Sequence, residues 1–269
     1  MQKTILITGA TDGIGLETAK SLVSQGHHVL LHGRSAKKLE RVAAQLASLS
    51  AGGHLERYVA DLSAMSEVDA LADAVAQEHE RLDVLINNAG VFGVADPITQ
   101  SGIDVRFVVN TIAPYRLAQR LLPLLDASAR VVNLSSAAQA PVDLRAFAGD
   151  ISLSDSAAYA QSKLALTMWS RGLALALGDG GPAVIAVNPG SLLASKMVKE
   201  AYGVDGSDLR IGAEILCRAG LAEEFAAASG RYFDNDSGRF ASPHPDALDA
   251  QKIQAVMQAI EDVLASGRC

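Results

Sequence analysis

Residues 8–15 read Thr8-Gly9-Ala10-Thr11-Asp12-Gly13-Ile14-Gly15. They lie between a short apolar run, Thr4 to Thr8, and a helical spacing of Leu16, Ala19, Leu22 and Val23 that stops at Gly26. Strand, glycine turn and helix in that order bring backbone N–H groups and a positive helix end to one place, where a pyrophosphate can rest. A plain tight turn needs neither flank. Gly9, Thr11, Asp12, Gly13, Ile14 and Gly15 are therefore candidate cofactor-binding residues.

The same alternation continues outward. His28 to His32 reads as a second strand, followed by Gly33-Arg34 and a helix from Ala36 to about Leu49. In dinucleotide sites an acid about 20 residues beyond the glycine turn binds the ribose hydroxyls. Here that place holds Arg34, with Lys37 and Lys38 a helical turn on. A guanidinium suits a 2′-phosphate and favours NADP, with NAD possible; a solvated surface arginine is the plainer alternative. Leu55 to Ala60 is a third strand ending at Asp61-Leu62, an acceptor and an apolar edge able to flank an adenine. After a helix from Ser66 to Glu80, Leu82 to Ile86 is nearly all apolar, as a parallel strand covered on both faces should be. It runs into Asn87-Asn88-Ala89-Gly90, whose small residues let the backbone approach a ligand. These units predict right-handed crossovers and an α/β doubly wound parallel sheet.

Gly102 to Leu125 has helical spacing with Asn110 inside it, where an asparagine is ordinarily a surface or capping residue. Val131 to Leu134 is a fifth strand leading into Ser135-Ser136. The small and polar connection from Ala137 to Ser156 is long enough for a substrate loop. Pro182 to Val187 is a sixth strand, followed by Asn188-Pro189-Gly190 and a loop-rich apolar segment near 191–206. Helices are expected over Asp208 to Ala219 and Ala222 to Ala228, a last strand at Arg231-Tyr232-Phe233, and a final helix from Ala247 to Ala265. With no repeat and no linker, one domain over residues 1–269 is expected.

Tyr159-Ala160-Gln161-Ser162-Lys163 opens a helical pattern running to about Gly178, and a spacing of four puts phenol and ammonium on one face. A free phenol, with a pKa near 10, exchanges protons poorly at neutrality. A fixed cation beside it favours the phenolate, so such a pair can pass a proton to or from an alcohol or carbonyl oxygen.

Of the 269 residues 49% are hydrophobic, enough for a sizeable core. A net charge of −7 and 4% aromatic residues argue against nucleic acid as a partner. Two cysteines, Cys217 and Cys269, offer neither a disulfide framework nor a zinc cluster, so no metal is expected and a reducing cytoplasm is the simplest location. No apolar run approaches the roughly 20 residues of a membrane helix, so no integral membrane segment is expected.

Taken together, the glycine turn, Asp61-Leu62, Asn87-Asn88-Ala89-Gly90, Asn110, Ser135-Ser136, Tyr159 with Lys163, and Asn188-Pro189-Gly190 resemble the short-chain dehydrogenase/reductase family over residues 3 to 190. The Ser136 to Tyr159 separation, Arg34 and Gly230-Arg231-Tyr232-Phe233 look like its retinol-dehydrogenase-like branch. The resemblance implies a three-layer α/β/α Rossmann fold of about seven parallel strands, an NAD(P) cofactor and interconversion of an alcohol with a ketone or aldehyde. It implies Tyr159 as general acid/base and Lys163 as the group that depresses its pKa and holds the nicotinamide ribose. Ser136 would bind the substrate oxygen, with Ser135 as competitor. Asn110 would open its helix and hold a water in a proton relay. Asn88, Ala89, Gly90, Pro189 and Gly190 would line the cofactor, with the last two against the nicotinamide. A homodimer or homotetramer built through the Asn110 and Tyr159 helices is implied in the same way.

The chain departs from the family pattern in three respects. The cofactor-binding threonine after Pro189-Gly190 is replaced, with Ala194 near its place and Ser195 one further on. The connection from Ser136 to Tyr159 is long. The chain also begins at its first strand, where membrane-bound retinol dehydrogenases carry an anchor, which argues against a retinoid substrate. Phe92, Val142 to Ile151 and Leu192 to Tyr202 are candidate substrate walls, although apolar stripes more often form core. A catalytically silent dinucleotide sensor is the alternative function.

Overall fold

A computed structural model describes residues 1–49, 52–194 and 206–267. Its elements follow in chain order: β1 (Thr4–Ile7), α1 (Gly13–Ser24), β2 (His28–Gly33), α2 (Ala36–Ala47), β3 (Leu55–Val59), α3 (Met65–Glu78) and β4 (Val84–Asn87). Then come α4 (Val105–Phe107), a π-helical turn (Val108–Ile112), α5 (Ala113–Leu121), β5 (Arg130–Leu134), α6 (Leu144–Phe147) and α7 (Asp155–Leu177). The last are β6 (Ala183–Asn188), α8 (Leu209–Leu221), β7 (Tyr232–Asp234), β8 (Arg239–Ala241) and α9 (Ala250–Ala265).

The strands form one sheet in the order β3-β2-β1-β4-β5-β6-β7-β8. Pairing is parallel through β7, and Leu6 lies opposite both Leu30 and Leu85. Successive side chains of a strand point to opposite faces, so the apolar strands feed two cores. Leu6, Leu30, Leu85, Val131 and Val184 face the layer of α3, α5, α7 and α9, while Ile5, Ile7, Val29, Leu31, Ile86 and Val132 face α1, α2 and α8. The order in which strands are added reverses between β1 and β4, and the crevice at that switch is where such sheets bind ligands.

Three sequence expectations need correction. The sheet has eight strands rather than about seven: β8 pairs antiparallel with β7, and its Phe240 packs on Phe225 and Phe233 with ring centroids 5.0 and 5.1 Å away. A three-residue strand in a polar stretch carries too short an alternation to be read.

The helix expected without interruption from Gly102 to Leu125 begins at Val105 and widens into the π turn, where the Ala113 N–H reaches the Val108 carbonyl. Pro114 has no N–H to give the Asn110 carbonyl, which removes the bond that would keep the turn tight. The helix expected over Ala222 to Ala228 is one 3-10 turn, Glu223–Phe225. Ala222 leaves helical geometry there, and the buried Arg130 guanidinium takes the carbonyls of Ala219 and Ala222 at 3.2 and 2.7 Å.

α9 lies on the outer face of α7. A Cβ on Gly172 would stand 2.3 Å from the Met257 sulfur and 2.8 Å from Ile253 Cγ2, so a larger residue there would push these α9 side chains aside. The Tyr115 hydroxyl bonds Glu261, which ties α5 to the same helix.

Candidate active site

The glycine turn joins β1 to α1 at the switch point. Gly9 has φ +68°, and a Cβ on Gly15 would lie 2.3 Å from the Gly9 carbonyl oxygen, so both positions require glycine. A Cβ on Gly13 would meet nothing within 4 Å, which leaves open space over the N-terminus of α1. That cradle fits a dinucleotide pyrophosphate.

Side chains not expected to matter hold the turn. His32 is buried, accepts from the Gly9 N–H at 3.3 Å on Nδ1, and donates from Nε2 to the Ala60 carbonyl at 3.0 Å. Burial pushes its pKa down to about 4, so the ring is neutral. A buried histidine in an apolar strand gives no sign in sequence of which loop it braces.

The expected cofactor residues divide by what their side chains touch. The Asn88 amide bonds the carbonyls of Thr8 and Gly9 at 2.8 and 3.2 Å, and so locks the end of β4 to the turn. The Asp12 carboxylate caps α1 through the Gly13 N–H, and that of Asp61 bonds the N–H and hydroxyl of Ser63. Leu62 is buried in the core; Thr11, Ile14 and Ala89 are half-buried at the crevice. Arg34 is exposed directly after β2. Pro189 and Gly190 follow β6, held by Asn235 on the Pro189 carbonyl at 2.9 Å and by Asp234 and Asp236 on the Asn188 amide at 2.8 and 2.9 Å. This acidic brace also escaped the sequence reading, because its residues lie some 45 positions downstream. Ser195 and the candidate wall from 195 to 202 lie outside the described residues.

α7 starts at the Ser154 cap and carries Tyr159 and Lys163 to the ends of β4 and β5. The Lys163 ammonium sits 5.7 Å from the centroid of the Tyr159 ring and donates to the Leu134 carbonyl at 2.6 Å. The lysine is 3% exposed, and burial pushes its pKa down to about 8. Gly90 approaches so closely that a Cβ there would stand 3.3 Å from Asn110 Oδ1 and 3.5 Å from Lys163 Nζ. Asn110 is fully buried: Oδ1 accepts from the Val91 N–H at 2.8 Å, while Nδ2 donates to the Val91 carbonyl and the Ser162 hydroxyl, both at 3.0 Å.

Ser135 is 2% exposed with its hydroxyl on Thr167 at 2.7 Å, whereas Ser136 is half-buried, so the accessible hydroxyl of the pair is that of Ser136. Phe92 packs edge-on against Tyr159 at 5.1 Å. Arg106, fully buried between Asp104 and Asp155, also donates to the Phe92 carbonyl at 3.3 Å and so joins that wall to the start of α7. Asn110→Ala should cost about 2 kcal/mol in urea denaturation, because it leaves the Val91 N–H and carbonyl unpaired. A cost under about 0.5 kcal/mol would mean that the π turn holds itself.

Among the described residues no helix is long and apolar enough to cross a membrane. A concave surface alone does not mark the site: a groove of about 660 Å³ between α1 and α8, lined by Ser21, Gln25, Ala213 and Cys217 among others, contains none of the residues above.

Comparison with known proteins agrees with this geometry. Residues 3–203 match the family model of the short chain dehydrogenases. Human retinol dehydrogenase 13 is 31% identical over 93% of this chain and 80% of its own length. A crystal structure of an uncharacterised protein from Mycobacterium paratuberculosis superposes with TM-score 0.81 at 27% identity, covering 97% of this chain and 93% of that one. A short chain dehydrogenase from Burkholderia cenocepacia, solved in complex with NADP, does so with TM-score 0.70 at 28% identity, covering 88% and 97%. These likenesses set aside the silent-sensor alternative. The chain belongs to the short-chain dehydrogenase family, on its retinol-dehydrogenase-like branch, and is an NAD(P)-dependent oxidoreductase that interconverts an alcohol and a carbonyl compound.

Proposed function

We propose that the chain prefers NADP and acts on a small-molecule alcohol, ketone or aldehyde with an apolar body, with Tyr159 as the general acid/base. The observation that carries this reading is the buried Lys163 ammonium 5.7 Å from the Tyr159 ring at the ends of β4 and β5. A cation there favours the phenolate and lets the hydroxyl exchange a proton with a substrate oxygen. The nicotinamide cofactor, when bound, supplies or accepts the hydride. Ser136 orients the substrate oxygen. Lys163 holds the ribose of the cofactor, and Asn110 keeps the π turn open for a water that links Lys163 to solvent. Gly9, Gly13 and Gly15 seat the pyrophosphate, Ala89 and Gly90 line the ribose side, and Pro189 and Gly190 back the ring.

Phe92, together with the exposed Leu144, Ile151 and Leu192 on the segments after Ser136 and Gly190, supports an apolar substrate. One domain, residues 1–269, holds both determinants, with substrate segments near 137–156 and 191–206. The free, buried thiol of Cys217 suits a cytoplasmic location. The family resemblance supports a homodimer or homotetramer through the Asn110 and Tyr159 helices.

Arg34 tests the cofactor preference. Arg34→Ala should weaken NADPH binding about tenfold and NADH binding less than about twofold in fluorescence titrations, through loss of a charge-assisted bond to the 2′-phosphate. Equal losses for both cofactors would assign the preference elsewhere.

A further inference from the structure

At the β3 edge of the sheet, away from Tyr159 at the central strands β4 and β5, three side chains converge that the oxidoreductase chemistry does not use. His28 opens β2, Glu56 lies in β3, and His79 follows directly on α3. Alternation puts His28 and Leu30 on one face of β2. Glu56, which pairs with Leu30, and Tyr58 share that face on β3. It is the face that α3 covers, so the end of α3 sets His79 beneath the other two. Each residue offers a ligand atom, and all three atoms lie within 4.8 Å of one another.

The two oxygens of Glu56 take one imidazole each: Oε1 lies 2.8 Å from His28 Nε2 and Oε2 lies 3.1 Å from His79 Nε2. His28 Nε2 is shielded from solvent, yet makes no well-directed hydrogen bond in spite of that contact. The two rings stand 5.4 Å apart at 67°. Two imidazoles bound to one tetrahedral Zn²⁺ at 2.0–2.1 Å place their centroids roughly 5.2 Å apart, and neighbouring ligand atoms about 3.3 Å apart. The observed ring separation falls near the first value, and the two nitrogens lie 2.8 and 3.1 Å from the Glu56 oxygens.

We propose that His28, Glu56 and His79 form a His₂Glu site for a divalent transition metal, Zn²⁺ by its ligand set, that pins α3 to β2 and β3. This departs from the expectation of no metal, which followed from the cysteines alone. The Tyr58 hydroxyl donates to Glu56 at 2.7 Å, the kind of outer bond that orients a ligating carboxylate. Water fills the fourth position of the proposed site. Side-chain exposures of 18% for His28 and 36% for Glu56 leave a path for the ion.

The test is a Co²⁺ titration of chelator-treated, full-length protein, read by visible d–d absorption and followed by displacement with Zn²⁺. The expected result is about one equivalent of Co²⁺ with tetrahedral bands, and a Tm rise of about 5 °C in Zn²⁺ at large excess over Kd. His28→Gln, His79→Gln and Glu56→Gln should each weaken Co²⁺ binding at least about tenfold while retaining NADPH binding. Hydrogen exchange of the unaltered protein supplies a readout independent of variant folding, with Zn²⁺ slowing β2, β3 and the end of α3 selectively. Absence of d–d bands, binding insensitive to all three substitutions, or protection in other elements would each overturn the site.

Discussion

Tyr159→Phe is expected to lower turnover by about 10²–10⁴-fold while NADPH binding stays within about twofold, as read by single-turnover absorbance at 340 nm beside a cofactor titration. The substitution is informative because phenylalanine keeps the shape of the ring. Phe92 meets the ring edge-on and the Lys163 ammonium lies near the same ring, and a phenylalanine keeps both neighbours. What disappears is the hydroxyl proposed to exchange a proton with the substrate oxygen. The residual rate should also lose its dependence on pH near neutrality. A variant that retained half of the native turnover would move the proton transfer to another group, with the Ser136 hydroxyl first in line.

Lys163→Met gives the second large effect, on stability rather than on rate. In the cofactor-free protein burial pushes the Lys163 pKa down to about 8, against 10.5 for an ordinary lysine. The folded state therefore binds fewer protons than the unfolded chain between those values, and stability rises with pH across that window. Below about pH 8 the full cost of burying the cation is present, and above about 10.5 it is gone. The stability of the native protein relative to Lys163→Met should thus increase by about 3 kcal/mol between pH 7.5 and 10.5 in urea denaturation. Tyr58, Tyr115 and Tyr232, whose pKa values are raised, change both proteins alike and cancel in the difference. A flat difference would mean that solvent reaches the ammonium. The cost has a functional reading: a cation held at the mouth of β5 before cofactor arrives does not have to be brought there afterwards.

The order of strands and helices was legible because apolar strands, glycine turns and helical spacing all repeat the same unit, and each local signal agrees with the next. The convergence of Tyr159 and Lys163 was legible for the same reason, since a spacing of four on one helix fixes relative position. Asn110 was not legible as a bracket for Val91, because the π turn that aims it arises from Pro114 and from a backbone 19 residues upstream. His32, Asp234 and Asp236 brace the cofactor crevice through contacts that span the fold, and neither period nor spacing carries such contacts. The bonds of Asn88 to the Thr8 and Gly9 carbonyls, across some 80 residues, were not legible either.

The close seating of α9 on α7 has a kinetic consequence. Met257 meets a helix position 85 residues earlier, so the back of α7 stays bare while the intervening chain is still being synthesised. Contacts this remote in sequence form late. A nascent chain halted after β8 would hold most of its sheet while displaying the flank of α7 around Gly172 to chaperones, until the last helix leaves the ribosome.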